Sequence, residues 1–319
     1  MSRFVSLLAP DLDDFLEFKR ARACKYARAE KWLRAFDRFV AERARVSEDL
    51  HLEVLVPAWI GRNADRSPVT VANEFIVIRK FCEFRQRRDP RAFVPPSRWV
   101  TQSCESEFKP YILTDEEIGR LLSQAAGLTR PPFRARLYRA LLLVLVCTGI
   151  RIGEALRLRF RDVDLSSGVL YISESKGRAR WVPMSRSLVR ELEAFREARA
   201  WHFAEARNQP FLVGANGRRL PFNTVSETVR SLFRRAGIKP MRGRVGPRIH
   251  DLRHTFAVSR LARWHRAGVD VQAHLPLLSA YMGHDSILGT EKYLNATPEL
   301  LEIAADRLRL RLAQSARSQ

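Results

Sequence analysis

Residues 283–294 read GHDSILGTEKYL, a polar stretch in which a lone His284 is followed nine residues later by a lone Tyr293. Other isolated polar residues stand elsewhere against well-patterned backgrounds. Arg151 lies in TGIRIGEAL, where one apolar helix ends and the next begins. There a guanidinium would join the backbone amides of a helix N-terminus, a natural anion site. Glu154, three residues on, is a partner that could orient it. Lys176 falls at the tip of a predicted hairpin, where a point charge can be held over a ligand, and Arg178 is its neighbour. HDLRHTFA, residues 250–257, supplies His250 and Arg253 one helical turn apart and on one face. Taken singly, each fits an ordinary ion pair or turn residue. His250 and His254 also have the spacing of a two-histidine zinc helix. The acid between them is the shorter Asp251, no further ligand has recognisable spacing, and Arg253 would set positive charge beside the metal. A metal site is therefore not expected.

The 319 residues suit two domains of ordinary size, and 46% hydrophobic with 29% charged residues fits a globular protein with real cores. Charge is the outlier. Fifty-six Lys and Arg against thirty-five Asp and Glu give +21, and the sequence pI is about 10.9. Such a balance implies an extended anionic partner, and nucleic acid comes first because basic side chains draw most sequence-independent affinity from phosphates. A membrane surface fits less well, since the basic residues are spread along the chain rather than gathered in one anchor. The longest apolar run is ALLLVLVC at 140–147, far short of a span, and MSRFVSLLAP is too little for a secretory signal. Cys24, Cys82, Cys104 and Cys147 stand singly, so neither a disulfide framework nor a cysteine zinc site is suggested. The chain reads as cytosolic and reduced, acting at the nucleoid.

The elements that must position these residues are mainly α, with a small β-hairpin or sheet. Residues 1–92 read as a helical domain of about four helices, because apolar residues recur at three and four in FDRFVAERA and TVANEFIVIRKFCEFR. Within it Lys19, Arg22, Lys25, Arg28 and Lys31 repeat every third residue, which predicts one basic side of a helix, either solvated or in contact with DNA phosphates. Residues 93–110, with Pro95, Pro96 and Pro110, read as a linker. Residues 111–319 form a second, mixed α/β domain. Thr114 caps its first helix with Glu117 completing a capping box, and a buried helix over LYRALLLVLVC stops at Gly149. GVLYIS and ARWVPM read as two strands of a hairpin, and a further helix starts at Asn223 or Thr224 and ends at Gly237.

The ordered set Arg, Lys, His-x-x-Arg, His, Tyr resembles the tyrosine recombinases, the phage-integrase family. TGIRIGEALRL looks like the family's first-arginine motif and SKGRARWVPM its β-hairpin lysine. HDLRHTFA looks like its His-x-x-Arg box, and YMGHDSILGTEKYL its second histidine and nucleophile. The likeness runs in order over roughly residues 110–297, with a helical core-binding domain implied for the N-terminal helices. Gly153 stands where many relatives have Ser or another small residue. The stretch from Arg253 to Gly283 is longer than in compact Xer-like members, closer to the recombinases of transposons and integrative elements. Tyr281 is a second tyrosine near the expected nucleophile.

The resemblance implies that Tyr293 attacks a scissile phosphate, forming a 3′-phosphotyrosyl bond and releasing a 5′-hydroxyl. Arg151 and Arg253 would hold the phosphate bidentately, with Glu154 orienting Arg151. Lys176, or else Arg178, would protonate the leaving oxygen. His250 would assist proton removal from Tyr293 or hold the phosphate, and His284 would hydrogen-bond a non-bridging oxygen. Neither a metal nor a nucleotide is required, because Arg and Lys supply the charge and the covalent ester conserves the bond energy. A helix at 298–314 could pack on its own domain; the resemblance suggests instead that it docks on a neighbouring protomer, giving a homo-tetramer on two sites in double-stranded DNA, alone or with sister recombinases. Two other functions share part of this pattern: a type IB topoisomerase that relaxes DNA, and a non-catalytic DNA-binding protein.

Overall fold

The computed structural model describes residues 4–22, 26–44, 51–62, 66–99, 110–128, 133–173, 179–243, 245–284, 286–291 and 293–294. The chain divides into two compact units, Met1–Phe108 and Lys109–Gln319. Lys25, Lys176, Arg178 and the expected helix over 298–314 lie outside the described residues.

The described part of the first unit is helical: α1 (Ala9–Ala21), α2 (Ala27–Ala44), α3 (Leu52–Gly61) and α4 (Pro68–Gln86). Leu12, Phe15, Leu33, Phe36, Val56, Ile78 and Phe81 close its core. Asp37 is buried on α2 and accepts from the backbone N–H groups of Val5 (2.7 Å) and Ser6 (3.0 Å), so one carboxylate ties down the N-terminal segment. Phe93 and Val94 pack on the same core, and Pro95 O accepts from Arg79 at 3.1 Å. The proline-rich stretch thus begins as part of this unit.

The basic repeat from Lys19 to Lys31 does not run along one helix. α1 ends at Ala21 with Arg22 as its C-cap, and α2 begins at Ala27, so Lys19 and Arg22 belong to one element and Arg28 and Lys31 to another. Aromatic packing overrides the three-residue period: the break lets Phe15 and Tyr26 meet edge to face at 5.8 Å. Lys19 Nζ then lies 5.2 Å from the centre of the Phe15 ring and 5.6 Å from that of Phe18, while the Arg22 guanidinium lies 5.5 Å from Phe18.

The second unit opens with α5 (Asp115–Ala126), whose capping box is complete: Thr114 Oγ1 accepts from Glu117 N–H at 3.2 Å and Glu117 Oε2 from Thr114 N–H at 3.0 Å. α6 (Phe133–Thr148) follows, with Leu137, Leu141, Val144 and Leu145 buried, packed against α5 and three later helices. Next come α7 (Ile152–Ala155) and an antiparallel sheet of β1 (Val163–Asp164), β2 (Val169–Ile172) and β3 (Arg180–Pro183) in the order β1-β2-β3. The register sets Tyr171 opposite Trp181 and Ile172 opposite Arg180. The short β1 adds a strand to the two expected. α8 (Arg186–Ala200) and α9 (Phe222–Arg235) complete the main core with α6.

A second apolar cluster joins α10 (Asp251–Arg266) to α11 (Val271–Met282), through Phe256, Leu261, Leu275, Leu278 and Met282. α12 (Leu288–Glu291) comes last among the described elements. Both turns that matter for the site are glycines in the left-handed region. Gly149, at φ 61°, ends α6, and Gly283, at φ 68°, caps α11.

A Cβ at Gly149 would run into the Phe256 ring as well as strain the backbone, whereas one at Gly237, also at positive φ, would meet nothing within 4 Å. Gly149→Ala should therefore lower the unfolding free energy by about 3 kcal/mol, backbone and overpacking together. Gly237→Ala should cost only the backbone part, about 1 kcal/mol. Urea titrations of the two variants check this, and equal losses would remove Phe256 from the explanation.

Candidate active site

α7 is short, and its function is to hold one carboxylate. Glu154, at its third residue, reaches back to accept the Arg151 N–H at 3.0 Å and the Arg151 guanidinium at 3.0 Å. Its side chain is only 1% exposed. The same carboxylate takes Arg180 from the start of β3, Nη2 to Oε2 at 2.8 Å. One buried anion therefore carries two guanidinium groups from different parts of the fold.

Backbone carbonyls at the end of α11 complete the arrangement. Arg151 Nη2 donates to Gly283 O at 2.8 Å, Arg180 Nε to Tyr281 O at 2.8 Å, and Arg253 Nη2 to Met282 O at 2.8 Å. Arg253 also donates through Nη1 to Gly149 O at 2.6 Å, the carbonyl left at the turn after α6. The C-terminus of a helix is where carbonyls lack intrahelical partners and favour cations, so three guanidiniums gather there for one reason. Gly283 is required twice: its positive φ ends α11, and a Cβ there would lie 2.5 Å from Arg180 Nη1.

Arg253 is buried at 2% exposure. Burial first, and then the charge of Arg151, pulls its pKa down to about 10, which still leaves it a cation at neutral pH. Tyr293 is 1% exposed and belongs to the apolar cluster of α10 and α11. Burial pushes its phenol pKa up, while the charges of Arg253 and Arg151 and a hydrogen bond from Arg253 pull the other way. The His284 ring stacks on Tyr293 at 6.3 Å, and its Nδ1 is fixed 2.6 Å from the buried Thr290 hydroxyl. The three residues come from separate segments and meet at one phenol.

Of the residues singled out in the sequence, Arg151, Glu154, Arg253, His284 and Tyr293 are thus brought together. His250 is exposed at the head of α10, its ring edge-on to His254 at 4.9 Å. His254, not His250, meets the phenol: its Nδ1 is 2.9 Å from Tyr293 Oη. His250 borders a basic cavity of about 590 Å³ lined also by Arg230, Arg234, Lys239 and Arg248. Tyr281 is turned away. Its hydroxyl donates to Pro183 O at 3.0 Å, its ring stacks on Phe256 at 5.6 Å, and burial pushes its pKa up to about 12. The two residues that sequence reasoning missed are Arg180 and His254. The signal for His254 was its place next to Arg253 in HDLRH, read there only as half of a zinc pair. No group of three or more His, Cys, Asp or Glu able to hold a metal is found among the described residues.

The sequence matches the model of the Phage integrase family over residues 112–299. A Sinorhizobium fredii protein, y4rB, which carries the name of an integrase/recombinase, is 33% identical over 307 residues, covering 94% of this chain and 96% of that protein. Tyrosine recombinase XerA of Thermococcus kodakarensis is 33% identical over 202 residues, 63% of this chain and 64% of its own. Among solved structures, the Tn1549 transposon integrase in complex with transposon right end DNA aligns with TM-score 0.66 at 19% identity, covering 94% of this chain and 99% of that one. The XerH recombinase bound to palindromic difH substrate gives 0.68 at 18% identity, over 86% and 77%. At these identities the structural likeness is one of fold.

Removing the shared anion leaves Arg180, whose side chain is 9% exposed, without its carboxylate. Glu154→Ala should lower the unfolding free energy by about 3–5 kcal/mol. Adding Arg180→Ala should return part of that loss, because the uncompensated charge goes with it. Chemical denaturation of the singles and the double decides it; a single loss below about 1 kcal/mol, or strict additivity, would deny Glu154 this role.

Proposed function

The chain belongs to the phage integrase family, the site-specific tyrosine recombinases that cleave and rejoin DNA strands, and on that premise we propose that Tyr293 is the nucleophile forming a 3′-phosphotyrosyl intermediate. The observation that carries the proposal is the convergence of Arg151, Arg253 and His284 around that one phenol, with Arg151 more than a hundred residues ahead of the other two in the chain. A phosphodiester repels nucleophiles, so its charge must be met in the transition state. Arg151 and Arg253 meet it. A guanidinium carries five donors in a planar fork, the geometry that matches the oxygens of a phosphate. His284, with Nδ1 held by Thr290, turns its other nitrogen to a non-bridging oxygen.

The leaving 5′-oxygen takes its proton from Lys176, and Arg178 contacts the DNA beside it. The relatives named for recombination and integration favour this reading over simple relaxation of DNA or passive binding. The relative named for integration, similar along nearly the whole chain, favours a mobile element as the setting, with integration, excision or transposition as the outcome. Phosphates flanking the cleaved one fall to the basic cavity beside His250 and, in the first unit, to Lys19, Arg22, Lys25, Arg28 and Lys31. The residues 298–314 dock on a neighbouring protomer, and four protomers act on two DNA sites at the nucleoid. No helix among the described residues is long and apolar enough to cross a membrane.

A covalent adduct tests the nucleophile. A nicked duplex carrying the recombination site, drawn from the DNA flanking the coding sequence, should give a denaturant-resistant protein–DNA band. Tyr293→Phe should abolish the band and Tyr281→Phe should keep it; the reverse pattern would move the nucleophile. A second measurement tests Lys176. Lys176→Ala should bind DNA normally and cleave roughly a hundred- to ten-thousand-fold more slowly, as for a lost general acid. A substrate with sulfur as the bridging 5′ atom, whose leaving group hardly needs a proton, should restore that rate. It should not restore Arg151→Ala or Arg253→Ala. Rescue of Arg178→Ala in place of Lys176→Ala would put the acid on the other residue.

A further inference from the structure

The phenol of Tyr293 must lose a proton as it attacks, and the group placed to take it is neither of the histidines that the family resemblance supplies. His254 is buried on α10 at 5% exposure, and its Nδ1 lies 2.9 Å from Tyr293 Oη with the two rings 5.3 Å apart. Arg253, which also hydrogen-bonds this phenol, can only donate. On the far side of the imidazole, Nε2 lies 4.0 Å from Oδ1 of Asp251. That carboxylate is buried at 1% exposure and is itself held by Arg248, through the backbone N–H at 2.7 Å and Nη2 at 3.2 Å. An acid on the Nε2 side favours the tautomer with its proton there, leaving the Nδ1 lone pair facing the phenol. A nucleophile, a base within hydrogen-bond reach and a third group orienting the base is the general arrangement of an activated hydroxyl.

The surroundings call for such a base. Burial is the largest influence on the phenol and keeps it protonated, with the guanidinium charges acting against that. A phenol held protonated by burial needs an acceptor in contact with it, and an imidazole nitrogen that carries its lone pair is such an acceptor.

We propose that His254 is the general base of strand cleavage, taking the Tyr293 proton on Nδ1, with Asp251 stabilising the imidazolium that results. The step rests on the reading of Tyr293 as nucleophile. In it the Oη–H bond breaks as the Oη–P bond forms and the P–O5′ bond breaks. The phenolic proton passes to His254, and the leaving 5′-oxygen receives a separate proton from the hairpin donor. Rejoining runs the same path backwards: the 5′-hydroxyl attacks phosphorus, and His254 returns its proton to the departing phenolate. His250, exposed at the head of the helix, is left to the phosphate.

Single-turnover adduct formation on the nicked duplex tests this. His254→Ala should slow it by roughly a hundred- to ten-thousand-fold. His254→Asn, which keeps a polar acceptor near the Nδ1 position but cannot serve as a base, should be slowed similarly and protects the test if the alanine variant folds poorly. The deciding arm replaces Tyr293 with 2,3,5-trifluorotyrosine, a phenol of nearly the same shape that is far more acidic. It should restore His254→Ala or His254→Asn at least tenfold and leave Arg253→Ala unrestored. A parental rate in both His254 variants would overturn the proposal. So would a slow rate that trifluorotyrosine leaves untouched, since His254 would then serve packing alone. A failure of the parental protein to form any adduct, or an adduct that survives Tyr293→Phe, would instead strike the nucleophile assignment beneath it.

Discussion

Guanidinium groups repel one another, and a site for a phosphodiester needs several of them within reach of one point. In this protein Arg151, Arg180 and Arg253 are held together by a single buried carboxylate, Glu154, and by four backbone carbonyls, those of Gly149, Tyr281, Met282 and Gly283. The carbonyls are available because two helices end there at left-handed glycines. Charge that water would otherwise solvate is carried by a helix terminus and one acid, which keeps each guanidinium plane fixed while the cluster as a whole stays positive. Much of the second unit follows from this constraint. α7 is only long enough to present Glu154, and β3 begins with the arginine that shares it.

The phenol that the guanidiniums surround is subject to an opposing pair of effects. Tyr293 is packed as a core residue of the α10–α11 cluster, and burial disfavours its charged form, while the guanidiniums beside it favour that form. Burial is the larger effect. A phenol in that position is inert until something takes its proton, and its stacking on His284 and contact with His254 orient the oxygen meanwhile.

Local signals in the sequence carried far. The capping box at Thr114, the stop at Gly149, the hairpin strands and the Arg-x-x-Glu pair at the head of α7 each depend on residues a few positions apart, where spacing and side-chain chemistry suffice. What escaped notice depends on long-range contact. Arg180 looked like any strand residue, because its partners are Glu154 and the carbonyl of Tyr281, 26 and 101 residues away. His254 was legible as a histidine but not as a neighbour of Tyr293, 39 residues on. The basic run from Lys19 was misread for the opposite reason. Its three-residue period is regular, yet α1 ends at Ala21 and α2 begins at Ala27, with Phe15 and Tyr26 in edge-to-face contact. Periodicity describes a helix only while no tertiary contact calls for a break.

Arg180 opens β3, and it shares its carboxylate with Arg151. The first residue of a strand and the residue at a helix head are thus mechanically joined. A shift of the hairpin pulls on Glu154, and a change at Glu154 reorients both arms at once. Their kinetic contributions are therefore entangled: losses measured singly at Arg151, Glu154 and Arg180 overlap, and their sum overstates what the three do together. The same linkage makes the edge of the sheet and the head of the helix answer to one counter-ion, so that neither guanidinium is repositioned without the other.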